Sequence, residues 1–127
     1  MIVSKDELVK VIGDFLEMGH VENIIAMFKH DTSYYELIGD VLNDERFVVR
    51  MGVAVLFEEL VSAKPSEVNL AIPALLPLLT DEVSYIRGEA ANILAIINTS
   101  ESLAPLALLQ NDPDPQVAEI VEDALAV

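Results

Sequence analysis

The sequence predicts an all-α fold, a right-handed α–α superhelix of about four helical hairpins that forms one domain over residues 1–127. Three observations predict it. Apolar residues recur at spacings of three and four along most of the chain, and almost nothing alternates as a strand does. Capping and turn residues cut that pattern into short segments. The segments then repeat, first after 37 residues and again after 31, which is the mark of a solenoid built from two-helix units.

The elements follow in order. "SKDE" (4–7) has the form of a capping box, with Ser4 as acceptor and Glu7 three residues on, so a first helix begins there and ends near Gly19. A shorter segment, "VENIIAMFK" (21–29), comes next; with the first it makes an irregular N-terminal capping hairpin over residues 1–32. Ser33 and Glu36 form a second capping-box pattern ahead of "YYELIGDVL", and a long helix spans 46–62. Pro65 cannot continue that helix and disfavours helical geometry at Lys64. Further helices are expected at about 67–79, 83–97, 101–110 and 116–126, giving units 33–62, 66–97 and 100–127.

The repeat can be checked position by position. A shift of 37 pairs Leu42 with Leu79, Asp44 with Asp81, Glu45 with Glu82, Arg50 with Arg87 and Ala54 with Ala91. It also superposes the apolar face of Val49, Val53, Leu56, Phe57 and Leu60 on Ile86, Ala90, Ile93, Leu94 and Ile97. A shift of 31 carries Asp81 to Asp112, Ile86 to Val117, Ala90 to Val121 and Leu94 to Leu125. Amphipathic helices match by chance at apolar positions, but less easily at an Asp-Glu pair and an Arg with identical offsets.

Composition removes several function classes. The chain has 7 Lys and Arg against 22 Asp and Glu, a formal net charge of −15, and its few bases are scattered among acids. Nucleic acid and anionic membrane surfaces would be repelled, whereas a basic protein partner would be attracted. Solubility alone also accounts for such a charge. With no Cys there is no disulfide, thiolate metal site or cysteine nucleophile. The longest apolar stretch, "VNLAIPALLPLL" (68–79), carries two prolines and is too short for a membrane span. The start "MIVSKDELVK" turns acidic at once and has no signal-peptide pattern, and its "KDEL" is internal, so a cytosolic protein is expected.

"AIPALLPLLTDEVSYIRGEAANILAII" (71–97) resembles a HEAT repeat of the short type found in bacterial and archaeal proteins and in phycobilin lyases. Pro73, Asp81 and Arg87 stand at that pattern's Pro, Asp and Arg positions. The likeness covers 33–127 well and 1–32 poorly; Glu36 replaces the Pro of the earlier unit, Ala118 the Arg of the last, and Pro105 sits one place off. The resemblance implies a non-catalytic scaffold or adaptor that binds a protein or peptide on a concave face lined by the second helices. It offers as the alternative an accessory or lyase-type subunit of the phycobilin-lyase kind. It also implies that Asp44, Asp81 and Asp112 pair with an Arg of an adjacent unit, Arg50 or Arg87, as mortar between repeats. The residues themselves place those Asp ahead of the second helices, where a carboxylate accepts from free backbone N–H groups and complements the helix dipole.

No catalytic constellation, metal site or cofactor is expected. "NDPDP" (111–115) lacks the glycine and distal Glu of a calcium loop, and His20 and His30 have no zinc spacing. The His-Glu dipeptides of HEAT-like iron hydroxylases do not occur, nor does a phosphate loop or nucleophile elbow.

One row on the second helices departs from the repeat. Phe47, Met51 and Val55 are apolar at i, i+4 and i+8, where the 37-residue shift finds Ser84, Gly88 and Asn92 and the further shift of 31 finds Pro115, Glu119 and Asp123. The row therefore grades from apolar to acidic. Leaving such side chains uncovered forgoes roughly 1–3 kcal/mol apiece. Two readings are open. In the preferred one, the first hairpin folds over Phe47, Met51 and Val55 through Phe15, Ile24, Ile25 or Phe28. In the other, the row, with Glu58 and Glu59 at its edge, docks an apolar and basic segment of another protein, with Asn92, Glu119 and Asp123 continuing the face. The wide apolar arc of the last helix (Val117, Ile120, Val121, Ala124, Leu125) adds an expectation of homodimerisation.

Overall fold

Residues 3–126 are described by the computed structural model; residues 1, 2 and 127, the ends of the expected cap and last unit, lie outside it. Eight helical stretches and no strand are present among the described residues. They are α1 (Lys5–Glu17), α2 (Val21–His30), α3 (residues 32–42), α4 (Phe47–Ala63), α5 (residues 68–80), α6 (Ser84–Ile97), α7 (residues 100–109) and α8 (Pro115–Leu125). α4 packs on α6 and α6 on α8, while α3, α5 and α7 form a neighbouring layer. This is an all-α solenoid.

Local chemistry sets the boundaries. Ser4 accepts from the Glu7 amide at 3.1 Å and starts α1, and Gly19, at φ +84°, ends it in a conformation that costs a side-chain-bearing residue energy. The expected Ser33–Glu36 box does not form. Asp31 takes that place by accepting from the Ser33 amide at 2.9 Å, two residues earlier than the sequence pattern indicates. A capping box does stand at the start of α7, where Thr99 and Ser102 bond each other's backbone.

The layer of α3, α5 and α7 is wound partly as 3₁₀. Pro73, Pro77 and Pro105 remove backbone donors from α5 and α7, so these helices tighten to i→i+3 bonding over Leu76–Thr80 and Ala104–Leu109. α3 meets α5 closely at Gly39, where a Cβ would collide with the Ala74 carbonyl oxygen.

The buried side chains form a continuous core from Ile12 to Val121. Its aromatic part joins the first hairpin to the rest: Phe28 packs edge-on against Tyr35 at 5.1 Å, and Tyr35 against Phe57 at 6.2 Å. The preferred reading of the apolar row is therefore overturned. Ile24 and Phe28 are buried in this core, on the Phe57 side of α4, and Leu16 of α1 lies against Gly52. Met51 is one residue from Gly52, about 100° round the helix. Phe47, Met51 and Val55 stay 61%, 49% and 40% exposed.

Candidate functional site

The repeat is visible in the backbone before any side chain is considered. The residues that precede α4, α6 and α8 are Arg46, Val83 and Asp114, 37 and then 31 residues apart, and all three have nearly the same extended φ and ψ. Two residues before each stands the recurring Asp. Asp44, Asp81 and Asp112 accept from the amides of Arg46, Val83 and Asp114 at 2.8, 2.8 and 2.9 Å. These carboxylates accept from backbone N–H groups just ahead of each helix, in the turn that leads into it, and not from the first amides of the helix itself. Asp114 performs the capping of α8, accepting from the Gln116 amide.

The recurring Arg closes the same turn from inside. Arg50 Nη1 donates to the Asp44 and Glu45 carbonyls, and Arg87 Nη1 to those of Asp81 and Glu82. From there the two residues diverge. Arg87 presents its Nε–Nη2 edge to Asp112 of the next unit in a bidentate pair at 2.8 and 2.9 Å, with the Asp112 side chain only 3% exposed. That pairing holds the Asp112 carboxyl below its ordinary range. Arg50 has no such partner in Asp81. Its guanidinium lies 4.4 Å from the Tyr85 ring centre and 5.7 Å from that of Phe47, and its buried Nε finds no hydrogen bond, Glu89 Oε2 being 4.0 Å away. Burial pushes the Glu89 carboxyl up, with Arg50 opposing.

Asp44 is held by a residue that repeat reasoning passed over. Arg46 grips it through Nε and Nη2 at 3.0 and 2.9 Å, and reaches Asp14 at 3.0 Å and Glu17 at 3.2 Å on α1. The first hairpin is thus tied to the array by an Arg with no counterpart in the other units, since Val83 stands at its place. Hydrogen bonds from Lys10 and then from Arg46 lower the Asp14 carboxyl, and Arg46 lowers that of Asp44.

The row on the second helices lies side by side as the shifts require, with unequal cover. Phe47, Met51 and Val55 are exposed on α4, and Glu58 and Glu59 are exposed beyond them. On α6 Ser84 and Asn92 are half-buried and Gly88 is buried, because Val117 and Ile120 of α8 sit where its side chain would point. Pro115, Glu119 and Asp123 are exposed on α8. Tyr85 and Val48, both 46% exposed, extend the apolar surface. The 37-residue shift pairs these two, which was a legible signal. Between α6 and α8 a groove of about 150 Å3 is lined by Tyr85, Gly88, Glu89, Asp114 and Val117 among others.

Among the described residues no group of three His, Asp or Glu side chains is arranged to hold a metal, and no helix is long and apolar enough to cross a membrane. With turn, helix register and repeat established, the family can be stated. The family model of HEAT repeats matches residues 40–126, well over half of the chain, and the chain belongs to that family. No curated protein and no solved structure matches it. HEAT repeats generally act as scaffolds for protein–protein interaction.

Proposed function

We propose that the protein is a non-catalytic adaptor that takes a basic, amphipathic segment of another protein along the face of α4, α6 and α8. The observation that carries this reading is the open row Phe47, Met51 and Val55, which none of the described residues covers although covering it would gain free energy. The gain from covering half-exposed side chains is about 1 kcal/mol each. Apolar side chains of the segment seat on Phe47, Met51, Val55 and Tyr85, and its Lys or Arg residues lie toward Glu59, Glu119 and Asp123 past Asn92. The net charge of −15 favours such a partner at long range and disfavours nucleic acid.

A synthetic amphipathic helix with leucines on one face and lysines on its flanks tests the reading. Wild-type protein should bind it, more weakly as salt rises. Met51→Asp should keep the far-UV circular dichroism of the wild type and lose at least about tenfold in affinity. Glu119→Lys/Asp123→Lys should weaken binding and flatten its salt dependence. Unaltered binding by all of these variants would put the docking face elsewhere, and a folded protein that binds no such peptide rejects the adaptor reading in this form.

A further inference from the structure

The groove between α6 and α8 holds a carboxylate that breaks the repeat. The shifts of 37 and 31 residues place Glu89 of α6 opposite Gly52 of α4 and Ile120 of α8. Gly52 is packed against Leu16, and Ile120 reaches toward Gly88, so on both sister helices this position serves packing. On α6 it carries a charge instead. The Glu89 side chain is 29% exposed and accepts no hydrogen bond among the described residues; the base that faces it, Arg50, has its Nε 4.0 Å away. A buried N–H and a half-buried carboxylate are thus both short of a bond. Tyr85, one turn earlier on α6, stands beside Glu89 and is half-exposed. Val117 and Ile120 of α8 supply the apolar side of the groove, and Asp114 is its other charged residue.

We infer that this groove seats one arginine side chain of the docked segment, with its guanidinium on Glu89 beside the Tyr85 ring and its stem along Val117 and Ile120. The inference rests on the adaptor reading, since Tyr85 belongs to the apolar surface on which the segment lies, and it names the side chain that fixes the segment's register. Size, charge and chemistry select that occupant. The groove of about 150 Å3 equals about five water molecules at about 30 Å3 each, room for one long side chain. Sites for whole small molecules begin near about 300 Å3. Both charged residues of the lining are acids, and Glu89, unlike Asp114, is not tied to a backbone amide. A half-buried carboxylate beside an aromatic ring suits a planar, weakly hydrated guanidinium, which stacks and donates at once, better than an ammonium. Arg50 already uses the same ring and the same carboxylate from α4, at 4.4 and 4.0 Å. Glu89 and Asp114 together balance Arg50 and the incoming charge.

The leucine–lysine helix of the binding experiment, with one lysine at a time replaced by arginine, tests the proposal on the full chain. At one position arginine should tighten binding at least about fivefold over lysine. Citrulline at that position, which keeps the shape and lacks the charge, should lose the gain without any change to the protein. Glu89→Gln should abolish the preference for arginine while the all-lysine helix still binds. Glu122→Gln, the same loss of charge at an exposed site outside the groove, should keep it. An all-lysine helix that binds, with no position preferring arginine, overturns the seat and leaves the adaptor reading standing. A preference that survives Glu89→Gln, or that Glu122→Gln removes equally, overturns it as well. Binding by none of the helices overturns both readings.

Discussion

α4 and α6 are sister helices that occupy the same place in successive units, yet they meet their next neighbour differently. On α6, Gly88 lets Val117 and Ile120 of α8 sit against the helix, and Arg87 closes on Asp112. On α4, Met51 stands at the equivalent position, 49% exposed, and Arg50 lies under Tyr85 with its Nε unpaired and Asp81 engaged only by its own turn. One seam is closed by a glycine and a bidentate ion pair; the other packs as well but leaves Met51 exposed beside it and gives the buried Arg50 no carboxylate within hydrogen-bond distance. A repeat can thus keep its turn chemistry while one side chain decides whether the surface beside it is structural or free.

The largest expected effect comes from breaking the closed seam. Asp112→Ala strands the Arg87 fork at a nearly dry site, and thermal unfolding should show a Tm lower by about 5–10 °C. Asp81→Ala removes only a turn bond and should cost less than half of that. Equal losses would mean that Asp112 also acts only through its turn.

Next is Gly88→Met, which gives α6 the residue of its sister. A Cβ there lies 3.5 Å from Val117 Cγ2 and 3.6 Å from Ile120 Cδ1, so the longer side chain overpacks the seam by about 2 kcal/mol in urea denaturation. The converse change, Met51→Gly, should cost about 1 kcal/mol through helix propensity alone. If Gly88→Met is the milder of the two, the contrast between the seams is not a packing contrast.

The smallest effects are read from pH. The Asp112 carboxyl is lowered by Arg87, so the stability from that pair is present above the ordinary value of 3.8 and is lost as pH falls through the lower folded value. Arg87→Met should therefore flatten the acid limb of a Tm–pH profile. Glu89 has the opposite sign, since burial raises its pKa from 4.5. Its favourable contribution is complete below 4.5 and is lost as pH rises through the folded value, so Glu89→Gln should raise the Tm slightly at neutral pH. A fall would show that the Arg50–Glu89 attraction outweighs the cost of burying the carboxylate.

Much of this was legible in the chain. Helix number, the shifts of 37 and 31 residues, and the Asp and Arg of the turns all follow from spacings of a few residues, where hydrogen bonding and amphipathic periodicity act. The Ser33 box was misplaced because Asp31, Thr32 and Ser33 all favour a cap, and only the chain entering from α2 selects among them. Arg46 was missed because it breaks the repeat; its partners Asp14 and Glu17 lie about thirty residues away.

Sequence by itself determined that this protein is an α-solenoid of two-helix units with an apolar row at Phe47, Met51 and Val55 and acids at Glu119 and Asp123, because side-chain period and turn chemistry are local. Tertiary structure alone decided that the first hairpin packs beside that row and leaves it open, that Arg87 and not Arg50 bridges to the next unit through its fork, and that Thr99 ahead of α7 bonds Asn69 of α5. The physical reason is common to all three. Each depends on how closely one helix approaches another, and that distance is set by the packing of distant side chains such as Leu16 on Gly52 and Val117 on Gly88.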